Sequence, residues 1–376
     1  VESMSRLPMG ADGGGPLGID PTATQHTPFI VQGVSADLLA TLNGYSRADL
    51  DGYALASQQR AAVAWAEGRF ARSVVPVVDS LGQVLLDHDE HIRADATLES
   101  LAALAPAFAG LGAKMGFDAL ALQRYPELLS VEHHHTAASS SGIVDGAGVL
   151  LVGSADAGAR LGLKARARIR SFVSLGAEPQ LMLDGPTPAC ERALQHAGLA
   201  ASDIELWELN EAFAAVPLRL MDTLSIPHDR INVNGGAIAM GHPLGASGAM
   251  IAGTLIDELE RRGMGLGMVT LCAAGGMAIA MVHCTVIHRA VVHLGVIHLS
   301  VLRVVHLRMV HARHAGMILG FRLGEHALEL VGGIAFLRHR EGRAQLHRRG
   351  GTKDLSVTVA EVEELVEVGE LDVLDA

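Results

Sequence analysis

The chain has 376 residues, with 41 acidic against 29 basic side chains, a formal net charge of −12, 43 glycines and only 3% aromatic residues. That balance excludes a nucleic-acid surface, which needs clustered Lys and Arg, yet leaves room for an anionic small molecule because a pocket's potential is local. The three cysteines lack CxxC spacing, which argues against a disulfide framework and for a reducing, cytoplasmic setting, and no apolar run has the length of a membrane span.

Val1-Glu2-Ser3-Met4 reads as a strand end running into a loop, with no initiator Met, as in a chain that has lost what came before. Residues 5–27 are loop-like and punctuated by Gly13-Gly14-Gly15-Pro16. Ser35 is expected to cap a helix through Leu39. Ser46 is expected to cap a second, through Ala54, Gln58, Ala61 and Trp65, that Gly68 closes. Residues 74–78 read as a short strand, and 87–126 as loop. Next come Ser139-Ser140-Ser141-Gly142 and Asp145-Gly146-Ala147-Gly148, small residues that let backbones approach closely, and then the apolar Val149-Leu150-Leu151-Val152.

From Ala165 the pattern becomes βαβα. Residues 169–173 read as a strand. Thr187 is expected to cap a helix with Pro188 at its first position and apolar Ala189, Ala193, Leu194 and Ala197, stopped by Gly198. A strand over 204–209 ends at Asn210, and a helical segment follows through Phe213, Leu218 and Met221. After a glycine-rich turn, Ile251, Leu255 and Leu259 mark a helix that Gly263 closes, and 268–272 is the last clear strand. Such alternation predicts a sheet with helices packed on it. Beyond Val282 the character changes: His283, His288, His293 and His298 recur every five residues, a period that fits neither helix nor strand, and no metal-ligand spacing emerges.

Three polar groups stand at strand ends or in the loops of the βαβα half, where ligands collect in open α/β sheets: Asn210, His242 and Cys272. Each has a bland reading: a turn-forming Asn, a solvated His, a small buried Cys. Together they point to chemistry at a carbonyl. Cys272 leads a glycine turn whose N–H groups can hold an oxyanion. His242 precedes a helix, whose positive end favours the neutral imidazole a base requires. Asn210 offers one donor and one acceptor.

Asn232-Val233-Asn234-Gly235-Gly236-Ala237-Ile238-Ala239-Met240-Gly241-His242-Pro243 resembles the signature of the thiolase family. So do Asn210-Glu211-Ala212-Phe213 and the Cys272-Ala273-Ala274-Gly275-Gly276 turn, in the same order. Val1-Glu2-Ser3-Met4-Ser5 resembles the junction between the family's amino-terminal half and its loop domain. Ser141-Gly142 with Asp145-Gly146 resembles the segment contacting the pantetheine arm of coenzyme A. The resemblance runs to about Val282. It implies an α/β chain with a thiolase-like fold, an αβα layered sheet lacking most of the amino-terminal half. The expected divisions are 1–128 (end of that half, with the loop domain), 129–164 (its remainder), 165–283 (carboxyl-terminal thiolase domain) and 284–376, an unrelated, largely irregular tail.

By that resemblance the reaction is acyl exchange and carbon–carbon bond making or breaking between coenzyme A thioesters. Coenzyme A and acyl-CoA are substrates, and no cofactor is permanently bound. His242 corresponds to the base that activates the nucleophilic thiol and lines an oxyanion hole. Cys272 corresponds to the cysteine that moves the α-proton, Asn210 to the holder of a water in the first oxyanion hole, and Ser141 to a coenzyme A contact. Homo-oligomerisation and a β-oxidation multienzyme partner are implied for an intact member. The sequence departs from the pattern in several places. The nucleophile has no match, because neither Cys190 nor Cys284 stands in its segment; Ala274 replaces a glycine; Pro217 falls inside an expected helix; and Ala138-Ser139 replaces Gly-Asn. An inactive acyl-CoA-binding or subunit-interaction protein and a Cys–His thioester hydrolase are the alternatives.

Overall fold

In the computed structural model the described residues are 1–7, 28–285 and four short strands between 319 and 358; the chain divides into the units Val1–Arg289 and Ala290–Ala376. Gly13 to Pro16, and His288, His293 and His298, lie outside the described residues.

The first helix, α1 (Gln32–Asn43), starts before Ser35, which is no cap: it is buried inside the helix, and its hydroxyl donates to the Leu181 carbonyl at 2.7 Å. A tertiary partner has claimed the side chain that sequence reading assigns to the helix end. Helix α2 (Arg47–Ala66) has the expected Ser46 cap, reciprocated by Asp49. It buries Leu50, Tyr53, Ala54, Ser57, Gln58, Ala61 and Ala64, the three-and-four spacing of one helix face. The strand expected over 74–78 shrinks to β1 (Val77–Val78), paired in an exposed hairpin with β2 (Val84–Leu86). The stretch read as loop over 87–126 contains three short helices: α3 (Leu98–Ala102), α4 (Ala109–Met115) and α5 (Phe117–Arg124). They are too short to leave a periodic signal, although the Thr97–Ser100 capping pair is legible in retrospect.

The four-stranded sheet has the order β3–β6–β5–β4, formed by β3 (Ala167–Gly176), β4 (Leu206–Leu209), β5 (Leu266–Ala273) and β6 (Met277–Thr285). Strands β4 and β5 run parallel; β5–β6 and β6–β3 are antiparallel. Strand β6 was not anticipated. Its alternately buried Ala278, Ala280 and Val282 are the signal that reveals it, and it carries His283, Cys284 and Thr285 into the sheet, past the point where sequence character changes.

Between β3 and β4 lies α7 (Pro186–Ala197), which begins on Pro186 rather than Pro188; Thr187 sits inside its first turn, with its hydroxyl on Asp184 Oδ1 at 3.0 Å. Its Ala189, Cys190, Ala193 and Leu194 join one core cluster with Val173, Met268, Ala278, Ala280 and Val282. On the other face α10 (Leu244–Arg262) packs Ala252, Leu255 and Leu259 against Leu206 and Val269. Alternation along β5 sends Met268 to one layer and Val269 to the other, which produces a helix–sheet–helix sandwich. Each fully buried Leu contributes roughly 1.5–3 kcal/mol to that packing.

Three shorter helices complete the unit. Helix α6 (Ala155–Arg160) follows Val149 to Val152, which pair with no strand and remain exposed. Helix α8 (Ala215–Leu224) starts after Phe213, not through it, so Pro217 is its third residue, where the missing N–H costs no intrahelical bond. Helix α9 (Ala237–Met240) forms one turn within the stretch read as a glycine-rich loop. In the other unit β7 (Leu319–Leu323) pairs with β8 (His326–Leu330), and β9 (Arg343–Ala344) with β10 (Val357–Thr358).

Candidate active site

The parallel register of β4 and β5 sets Leu209 opposite Thr270, and the Asn210 N–H continues the ladder to the Thr270 carbonyl at 3.1 Å. Asn210 and Cys272 therefore stand at the carboxyl ends of neighbouring parallel strands, the side of an α/β sheet where ligands bind. Asn210 is 1% exposed, and its Oδ1 is buried without a protein partner. An orphaned buried acceptor in such a place is a group reserved for a ligand or water.

His242 arrives from the other direction. Gly241 takes φ +86°, a left-handed conformation that glycine adopts at no steric cost, and turns the chain so that His242 N–H donates to the Gly142 carbonyl at 2.7 Å. The imidazole Nδ1 lies 2.6 Å from Ser247 Oγ, one turn into α10, and Nε2 lies 3.4 Å from Asn210 Nδ2. An amide nitrogen only donates, so Nε2 accepts, and the proton sits on Nδ1, directed at Ser247. Burial depresses the His242 pKa, which reinforces the neutral ring. A neutral imidazole whose Nε2 lone pair is engaged only by an amide N–H at 3.4 Å can act as a general base.

Cys272 is 7% exposed, and burial pushes its thiol up to about 12. Among the described residues it makes no hydrogen bond to His242 or Asn210, so it is not a thiolate–imidazolium pair. The following turn places its left-handed residues at Gly275 and Gly276, not at Ala274, so the alanine there carries no backbone strain. A Cβ on Gly276 would lie 2.8 Å from the Ala177 carbonyl oxygen.

Ser141 lies between the two turns. Its N–H and hydroxyl both donate to the Ala212 carbonyl, at 3.0 and 3.2 Å, while the Ala214 N–H donates to Ser139 and Gly142 holds His242. The segment 139–142 thus joins the Asn210 turn to the His242 turn. Two contributors escape sequence reasoning. Ser247 is hidden in a run of small residues. Glu211 is fully buried and accepts from Tyr53 Oη (2.9 Å), Ser57 Oγ (2.6 Å), Asn232 Nδ2 (2.8 Å) and the Ile238 N–H (3.2 Å). A carboxylate amid Leu, Ala, Phe and Val was the available signal, since it must be paired. Among the described residues no group of His, Cys, Asp or Glu is arranged to hold a metal ion, and no helix is long and apolar enough to cross a membrane.

An α/β/α sandwich whose neighbouring parallel strands end near Asn210 and Cys272, with the His242 imidazole against Asn210, has the layout of an α/β domain that binds a ligand at its strand ends. Comparison with known proteins specifies which. The thiolase amino-terminal domain model matches residues 1–156, and the thiolase carboxyl-terminal domain model matches 163–285. The 3-ketoacyl-CoA thiolase of Aliivibrio fischeri is 40% identical over 288 residues, 75% of this chain and 69% of that protein. The acetyl-CoA acetyltransferase of Rhizobium meliloti is 42% identical over 251 residues, 66% of this chain and 58% of that protein. Among solved structures, the acetyl-CoA acetyltransferase of Bacillus anthracis superposes with a TM-score of 0.60 at 34% identity, covering 68% of this chain and 60% of that one. Human mitochondrial 3-ketoacyl-CoA thiolase in complex with CoA gives 0.58 at 33% identity, covering 68% and 59%. The chain belongs to the thiolase family. It spans 58% to 69% of the length of these relatives.

Proposed function

We propose that the chain derives from an acyl-CoA C-acyltransferase that catalyses reversible condensation and thiolytic cleavage of 3-oxoacyl-CoA with coenzyme A. The observation that carries this reading is the contact of His242 Nε2 with Asn210 at the strand ends where Cys272 also stands. His242 Nε2 takes the proton of a nucleophilic thiol, and once protonated it donates to the oxygen of the thioester carbonyl. Asn210 donates to that oxygen or orients a water. Cys272 exchanges the proton at the α-carbon: as thiolate it takes that proton and becomes a thiol, and the electron pair left on the carbon spreads to the carbonyl oxygen as an enolate. Ser141 and its neighbours border the pantetheine path. The setting is cytoplasmic and the intact family member a homo-oligomer, with a β-oxidation multienzyme complex as partner.

For the chain Val1–Ala376 itself the reading is narrower. Cys190 is buried in α7 and Cys284 lies at the opposite end of the sheet from Cys272, so neither thiol serves as an acyl acceptor at this site. The chain binds acyl-CoA and catalyses exchange of its α-protons with solvent, but not thiolysis. Deuterium incorporation into acetyl-CoA, followed by NMR, tests this. Exchange is expected to exceed that of Cys272→Ala. Because the thiol titrates near 12, the rate should rise about tenfold per pH unit through the neutral range. Equal exchange by the two proteins would remove the proposed role of Cys272. Strong thiolysis of acetoacetyl-CoA would overturn the narrower reading. Binding of acetyl-CoA in calorimetry without any exchange would favour an inactive acyl-CoA-binding protein. A Cys–His hydrolase is disfavoured by the absence of a Cys272–His242 hydrogen bond.

A further inference from the structure

Helix α10 carries both His242, two residues before its first turn, and Ser247, which holds the imidazole Nδ1, yet no local side chain caps it and no acidic residue lies in its first turn. The cap comes from the other end of the sequence. Glu2 pairs with Gly146 through two backbone hydrogen bonds, at 2.8 and 3.0 Å, and its carboxylate accepts from the Gly245 N–H at 2.8 Å. The fit is close on both sides. A Cβ on Gly245 would lie 2.7 Å from Glu2 Oε2, and one on Gly146 would lie 2.6 Å from the Pro243 ring. An orphan N–H in the first turn of a 19-residue helix is thereby satisfied by an anion, which the helix dipole also favours.

We propose that Glu2 is a positioning residue for His242, acting as a remote N-cap that fixes the turn presenting the imidazole to Asn210. Its carboxylate bonds to the Gly245 N–H and not to the side chains of Asn210, His242 or Cys272. It acts through Gly245 and the Ser247–His242 contact one turn further along. A second anchor of the same segment provides the control: Ser5 donates to Asp145, not to α10, through its N–H at 2.8 Å and its hydroxyl at 2.5 Å.

The activity arm of the test rests on the acyltransferase reading; the spectroscopic arm does not. Glu2→Ala, Glu2→Gln and Ser5→Ala are compared in the full chain for deuterium exchange into acetyl-CoA. In parallel, the His242 ring resonances are followed by NMR, identified by their loss in His242→Asn. Glu2→Ala is expected to shift those resonances and slow exchange by roughly threefold or more, the scale of a lost cap. Glu2→Gln keeps an acceptor oxygen and should restore both, and Ser5→Ala should leave both as in the parent chain. Unchanged His242 resonances in Glu2→Ala overturn the proposal. So does an equal effect of Ser5→Ala, which would make Glu2 a tether of its own segment only. If the parent chain shows no exchange at all, the acyltransferase reading fails, and the resonances alone decide the role of Glu2.

Discussion

His133 shows how far geometry alone assigns a charge. Its Nδ1 lies 2.7 Å from Asp37 and its Nε2 3.2 Å from Asp118, and ionised carboxylates only accept hydrogen bonds, so both ring nitrogens carry protons. His135 shares Asp37 through Nδ1 at 2.8 Å, while its Nε2 accepts from the Ala215 N–H at 3.4 Å. Burial alone would depress the His133 pKa; the two carboxylates outweigh it and leave the value raised. A raised folded-state value stabilises the fold fully below the unfolded value near 6.5 and loses that contribution as pH climbs through the folded value. His133→Gln should therefore lower the melting temperature by about 2–3 °C at pH 5.5 and by clearly less at pH 9, as thermal denaturation at the two pH values would show. The thiol gives a second prediction at this scale. With Cys272 pushed up to about 12, iodoacetamide should modify it slowly at neutral pH, in contrast to the rapid labelling of an imidazole-paired thiolate, and mass spectrometry of the labelled chain reads the difference. Asn210, His242 and Cys272 stand out in the sequence as candidates because Asn210 closes a strand, His242 lies in a turn before a helix and Cys272 leads a glycine turn; of these the structure brings Asn210 and His242 into contact. The partners of Glu211 do not stand out, because they come from α2 and from two separate turns.

At the scale of elements, Glu211 is the tie among α2, the Asn210 turn and the start of α9. Removing it leaves the buried Tyr53 and Ser57 hydroxyls and the Ile238 N–H without this acceptor, while Asn232 keeps the Leu209 carbonyl. Glu211→Ala should cost roughly 3 kcal/mol or more in urea denaturation, and Glu211→Gln less, since an amide oxygen still accepts. The sandwich itself was readable: the helices α7 and α10 and the strands β4 and β5 follow from period and caps. What failed was decided by tertiary contact. Ser35 was drawn into α1 by the Leu181 carbonyl, and β6, though it forms a hairpin with β5, is held on its other side by β3, a strand far away in sequence.

For the whole molecule, the conspicuous feature is apolar surface. Strand β3 is a ten-residue edge with Phe172 54% exposed, Met277 beside it on β6 is 56% exposed, and Val149 and Leu151 are 91% and 81% exposed. Long apolar edges recruit further strands. The chain should associate with rising concentration in sedimentation, and Phe172→Lys should reduce that association without altering the far-ultraviolet dichroism.

One bond in the site has a wider meaning. The backbone N–H of His242 is held by the Gly142 carbonyl, so the imidazole is supported jointly by two stretches that match different family domains. Under the acyltransferase reading, sequence drift in the upstream stretch can therefore retune proton transfer while Asn210, His242 and Cys272 stay the same. The inheritance of this chemistry is to be sought as much in its scaffolding glycines as in its polar side chains.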